Sequence, residues 1–219
     1  MIKKTFIIYL FSIIFFSCNG KIESDLYLRD LIDAEKNIEE CIMTKAVIGF
    51  ESPSEENKEK VINFIKQNFR EVSNVREKPV DYSTYLYADI KIPIKNIQSP
   101  FPKDLEDLFY IIVKKENDNI NFGIGLNQNV FIKIKKYVSD EFWQTLDIDN
   151  WSFKIIFNND TRENYNLNVN CCYINNYPYP FSHTIEFFPR DNLEIFIPDV
   201  LRDYAYNKGE TIFGYLILK

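Results

Sequence analysis

The sequence predicts an α+β fold: two N-terminal helices packed on a mainly antiparallel sheet of roughly eight strands. Two observations carry that expectation. Apolar residues recur at helical spacing up to about residue 72 and alternate with polar ones from residue 82 onward. The chain also carries 31 Ile against 14 Leu, a β-branched bias that favours strands. Helices gathered at one end of the sequence and strands at the other suggest helices on one face of a sheet, joined by hairpins.

Taken in order, residues 25–44 read as a first helix, with Leu28, Leu31, Ile32, Ile38, Cys41 and Ile42 on one face. Ser52-Pro53-Ser54-Glu55 has the form of a capping box with proline at the first helical position. It opens a second helix over 53–71, with Val61, Ile62, Ile65, Phe69 and Val72 in one stripe. Leu86, Ala88, Ile90, Ile92 and Ile94 then alternate with Tyr85, Tyr87, Asp89, Lys91 and Pro93, as in a half-buried strand ending near a sheet edge. Residues 101–107 read as a loop or single turn. Residues 109–115, 120–126 and 130–137 read as a three-stranded meander, and 139–146 as a short helix capped by Ser139. Trp151, Phe153, Ile155 and Phe157 alternate again. The returning strand places Tyr165, Leu167, Val169 and Cys171 on one face and Asn164, Asn166, Asn168 and Asn170 on the other. Strands at 184–188, 193–197 and 211–218 and a helix at 198–206 complete the reading. One core is expected to gather Leu86, Ile90, Ile92, Ile155, Phe157, Leu167 and Val169, with Ile62, Ile65 and Phe69 packed on it.

The N-terminus carries an address. Lys3 and Lys4 precede an apolar run over 5–17, which ends at Cys18. That run is too short for a bilayer core, which needs about 20 residues, and matches the apolar segment of a signal peptide. Phe15-Phe16-Ser17-Cys18 resembles the lipobox of bacterial lipoproteins, although Phe15 stands where Leu is usual and Phe16 where a small residue is usual. The resemblance covers only the first residues. It implies cleavage after Ser17, diacylglycerol on the Cys18 thiol and often a third chain, such as palmitate, on the new amino group. The expected organisation is a cleaved signal peptide (1–17), a lipidated tether (18–24) and a single domain (25–219). It would sit in the bacterial cell envelope, lipid-anchored and facing the periplasm or the exterior.

Net charge is −6, and loss of Lys3 and Lys4 takes the mature chain to −8. An acidic chain lacks the basic footprint that nucleic acid requires and suits a basic partner. A single histidine, His183, excludes a multi-histidine metal site. No nucleophile elbow, P-loop or dinucleotide fingerprint occurs. No catalytic residue, metal ligand or cofactor is therefore assigned. Beyond Cys18, three cysteines remain. Cys171 and Cys172 are adjacent in a strand and point to opposite faces, so a Cys41–Cys171 bridge and three reduced thiols are both open readings. The candidate binding residues are Tyr177, Tyr179 and Phe181, interleaved with Pro178 and Pro180. Such rings either anchor a partner or fold back over the end of the sheet. The expected partners are the membrane, through the lipid, and another protein, as for an inhibitor or toxin-immunity module. The rival readings are a surface protein that binds carbohydrate or a small ligand, and a carboxylate-based envelope hydrolase.

Overall fold

The computed structural model describes residues 19–37, 41–51, 57–80, 83–98 and 107–217. It overturns the expected fold class. Among the described residues thirteen strands form one sheet that curls into a nearly closed barrel with four α-helices; two N-terminal helices on eight strands do not occur.

The first correction lies at residue 20. Strand β1 (Gly20–Tyr27) occupies positions read as tether and helix; α1 (Leu28–Lys36) is short, and β2 (Ile42–Glu51) follows it. Helix α2 (Lys58–Asn68) lies within the second expected helix, but Arg70–Val80 is a strand, β3. The capping box lies outside the described residues. Strand β4 (Ser83–Asn96) is followed by β5 (Phe109–Glu116) and β6 (Asn119–Leu126). Residues 128–142 then form α3 (Gln128–Phe142), where a strand and a separate Ser139-capped helix were expected. Its cap is Asn127, whose side chain accepts from the Asn129 and Val130 amides. The remaining elements are β7 (Trp151–Asn158), β8 (Tyr165–Val169), β9 (Cys172–Ile174), β10 (Tyr177–Tyr179), β11 (His183–Phe187), β12 (Asn192–Ile197), α4 (Asp199–Lys208) and β13 (Glu210–Ile217).

The strand order is β10-β9-β12-β7-β1-β2-β4-β5-β6-β13-β8-β11, with β3 beside β4. The first and last strands of this path, β10 and β11, are consecutive in the chain and separated by Pro180, Phe181 and Ser182 alone. A path of twelve strands whose ends are joined by so short a link has to curve back on itself. Rings from strands distant in that order meet inside: Phe109 of β5 stacks on Phe153 of β7 at 5.1 Å, and Phe157 touches both Phe122 of β6 and Phe187 of β11. Closure leaves few exposed sheet edges. Most pairs are antiparallel, but β1–β7 and β4–β5 are parallel.

The alternation of β7 explains its place. Trp151, Phe153, Ile155 and Phe157 face the interior, whereas Ser152, Lys154, Ile156 and Asn158 face outward. Leu86, Ile90, Ile92, Ile155, Phe157, Leu167 and Val169 are all buried, as is Ile65, with Ile62 and Phe69 packed against them. One end of the barrel is closed by three helices. Phe50 and Trp151, at the ends of β2 and β7, meet Phe64 of α2 and Phe131 of α3; Phe131 in turn meets Tyr206 of α4. Helix α1 packs elsewhere, where the Asn96 side chain at the end of β4 donates to the Ala34 and Glu35 carbonyls.

Candidate binding surface

Strands β9 and β10 form a two-residue hairpin. Both turn residues, Asn175 and Asn176, have positive φ (48° and 68°), as a type I′ turn demands, and asparagine tolerates that conformation. The hairpin is pinned to β12: the Asn175 amide donates to the Glu194 carbonyl, and the Asn175 side chain accepts from the Glu194 amide. Ile195 then pairs with Ile174, and Phe196 with Tyr173. Period-two alternation buries Cys172, Ile174, Ile195 and Ile197 and turns Tyr173 and Phe196 outward. Their rings meet edge to face at 6.1 Å.

Pro198 is the N-cap of α4, and Val200 on the first turn of that helix is exposed. Tyr173, Asn176, Phe196, Pro198, Asp199 and Val200 together line a groove of about 620 Å³. Arg202 holds this corner. Its guanidinium is buried and bonds to the carboxylates of Asp149, Asp199 and Asp203 and to the carbonyls of Asp149 and Trp151. One cation among three carboxylates leaves the rim of the groove acidic.

Phe196 also borders a second groove, of about 580 Å³, on the outer face of β7, β1, β2 and the β3–β4 hairpin. There Lys154 pairs with Glu23 at 2.6 Å and Arg76 with Asp89 at 2.6 Å. The Asp89 carboxyl is held below the usual carboxylate range by hydrogen bonds from Arg76 and Asn74. Tyr87 lies across Gly49, where a Cβ would approach its ring to 2.6 Å; glycine makes room for the aromatic floor.

Of the residues read from the sequence, Tyr177 (71% exposed) and Phe181 (81%) are open to solvent. Tyr179 is half-buried against the core and stacks on His183 at 4.8 Å. Tyr177 and Tyr179 lie on the β10 hairpin strand, whereas Phe181 sits in the link to β11. The groove residues Tyr173, Phe196 and Val200 were missed. The signal was present for two of them: Phe196 alternates with Leu193, Ile195 and Ile197, and Tyr173 lies between Cys172 and Ile174, so both point outward if their neighbours point in.

The three described cysteines are free, and no Cys41–Cys171 bridge forms. Burial pushes the Cys172 thiol up to about 12 and raises that of Cys41, the reverse of what a nucleophilic thiolate needs. Among the described residues, no cluster of His, Cys, Asp and Glu could hold a metal ion, and no helix is long and apolar enough to cross a membrane. Cys18 lies outside the described residues.

No curated protein and no solved structure matches the chain. A family model, described as Domain of unknown function (DUF7424), matches residues 20–219. Its span begins with the first residue of β1 and takes in the whole barrel, and the chain belongs to that family.

Proposed function

We propose that the protein is a lipid-anchored module of the bacterial envelope that binds a protein partner through the groove of Tyr173, Phe196 and Val200. The observation that carries this reading is the outward-facing aromatic pair Tyr173–Phe196 on a groove at the sheet edge, with Tyr177 and Val200 exposed beside it. Exposed aromatic groups that border a concavity are the usual anchors of a protein interface. The acidic rim around Arg202 and the −8 charge of the mature chain favour a partner with an apolar centre and a basic margin. The groove lining is aromatic, aliphatic and amide in character, and its one carboxylate, Asp199, is already engaged by Arg202. That chemistry suits contact. The anchoring half of the reading is supported by Phe15-Phe16-Ser17-Cys18 after an apolar run. Two or three acyl chains hold a protein on a bilayer where one alone binds marginally.

Photo-crosslinking in the native cell tests the partner. A photoreactive residue at position 173 or 177 should give one discrete protein adduct, and the same residue at exposed Lys133 should give none. Absence of an adduct specific to 173 and 177 refutes the groove as the binding surface. The mass of the mature chain tests the anchor: an unacylated chain refutes it.

A further inference from the structure

The lipid anchor and the start of β1 are almost adjacent. Asn19 is already fixed to the barrel: its carbonyl accepts from the Glu51 amide, and its side chain donates to the Glu51 carboxylate at 2.6 Å. The only free link to an acylated Cys18 is therefore one peptide unit, about 3.8 Å between Cα atoms. An acylated cysteine sits at the lipid surface, so the barrel end at β1 cannot stand off from the bilayer.

Two kinds of side chain at that end match what a bilayer presents. The first is Trp143, 92% exposed. It terminates α3 in the left-handed conformation (φ 54°), with its amide bonded to the Ser139 carbonyl, so its backbone is held in place. A strand pairing and three ring contacts lead from the start of β1 to the residue before it. Gly20 pairs with Phe50, Phe50 meets Phe64, Phe64 stacks on Tyr137 at 4.9 Å, and Tyr137 meets Phe142, the residue before Trp143. Tryptophan concentrates at membrane–water interfaces, where its ring is apolar and its N–H is wet.

The second is a pair of lysines. The strand register sets Asn19, Glu51, Tyr85 and Lys78 in one row across β1, β2, β4 and β3. Strands lie about 4.8 Å apart, which places Lys78 about 15 Å from Asn19 at the same level. Lys21, two residues beyond Asn19, has its ammonium 4.4 Å from the centre of the Tyr85 ring. Neither lysine forms an ion pair among the described residues. Both line the 580 Å³ groove, whose two carboxylates, Glu23 and Glu77, pair with Lys154 and Lys58 instead.

We propose that the end of the barrel at β1, carrying Trp143, Lys21 and Lys78, is the face that meets the bilayer: Trp143 enters the interface and the two lysines face lipid phosphates. The inference rests on the lipoprotein reading above, and the test separates the two. The chain has two tryptophans, and Trp151 is buried (2% exposed), so intrinsic fluorescence reports solvent or lipid contact at Trp143. The acylated protein, its acylation verified by mass, is reconstituted into vesicles of phosphatidylethanolamine and phosphatidylglycerol containing brominated lipid. Trp143 emission should shift to the blue and be quenched, and Trp143→Phe should lose both effects. The double change Lys21→Gln with Lys78→Gln should lose the extra quenching seen when phosphatidylglycerol replaces phosphatidylcholine. An acylated protein whose Trp143 emission stays solvent-like, or whose quenching survives Trp143→Phe, overturns the orientation. Quenching indifferent to the two lysines overturns their role. An unacylated mature chain overturns the anchor itself.

Discussion

Arg202 allows a sharp test of what holds the corner between β12 and α4 together. The residue is 4% exposed, but its three carboxylate partners are not: the side chains of Asp149, Asp199 and Asp203 are 76%, 80% and 46% exposed. Replacing Arg202 by Ala therefore releases carboxylates that water can solvate, and each such pair is worth about 0–1 kcal/mol. The larger cost is inside. The Trp151 carbonyl, 3.3 Å from Nη1, is buried and loses that donor, as does the Asp149 carbonyl. A buried acceptor left unsatisfied costs about 1–3 kcal/mol, and loss of the packed aliphatic stem adds to it. Arg202→Ala should thus destabilise the protein by about 2–4 kcal/mol, a fall in Tm of about 5–15 °C for a domain of this size. Asp199→Asn and Asp203→Asn should each cost less than about 1 kcal/mol. Urea unfolding of the three variants, followed by circular dichroism, measures the difference. If Arg202→Ala costs no more than Asp199→Asn, the buried Trp151 carbonyl is not what the guanidinium serves, and the reasoning fails.

Ser24 is fully buried inside the barrel with its hydroxyl unpartnered among the described residues; Ser24→Ala should be neutral or stabilising by urea unfolding, because an unsatisfied buried hydroxyl is removed. Tyr177→Ala should leave stability within about 0.5 kcal/mol of the parent, as for an exposed surface site, whereas Tyr179→Ala should cost more because its ring packs on the core and on His183; equal effects would contradict the distinction between the two rings. With its thiol pushed up to about 12 by burial, Cys172 should resist iodoacetamide at neutral pH in the folded protein and react fully once the chain is unfolded, which peptide mass mapping can follow.

What was legible in the sequence was local. The strand of Trp151, Phe153, Ile155 and Phe157 is half-buried with a polar outer face, so its alternation is clean and the reading located it correctly. The misassigned elements had their pattern blurred by an identifiable cause. In β1 a buried polar residue, Ser24, interrupts the alternation of Ile22 and Leu26, while Leu28 and Leu31 beyond it supply a helical spacing that absorbed the strand. Among the described residues β3 pairs only with β4, and it is exposed along most of its length, so no face needed to be apolar and no period-two signal arose. In α3 the run Val130-Phe131-Ile132-Lys133-Ile134-Lys135 fits a strand, but the helix buries Val130, Phe131, Ile134 and Val138 and leaves Ile132 half in water. The curling of the sheet depends on pairings far apart in the chain, which periodicity does not encode. The Tyr-Pro segment was correctly noticed as unusual in composition. Its neighbours Tyr173 and Phe196 lie on separate strands and become one surface only when β12 pairs with β9.

The parallel pairing of β1 with β7 has a kinetic consequence. Gly20 pairs with Trp151, 131 positions later. The first strand of the domain can find only β2 as a neighbour until most of the chain is available. Closing so large a loop is entropically costly before any contact offsets it, and topologies dominated by distant pairings fold slowly. If the chain is exported from its N-terminus and anchored at Cys18 as proposed, β1 emerges early and waits, one residue from that anchor, for β7 to follow. The barrel would then assemble against the bilayer after nearly the whole chain has crossed, and an exposed β1–β2 pair, joined through α1, would be the intermediate most open to misassociation. Pulse-labelling hydrogen exchange during refolding should find the β7 amides protected in the same slow phase as those on the β7-facing side of β1, after the β5–β6 hairpin has formed.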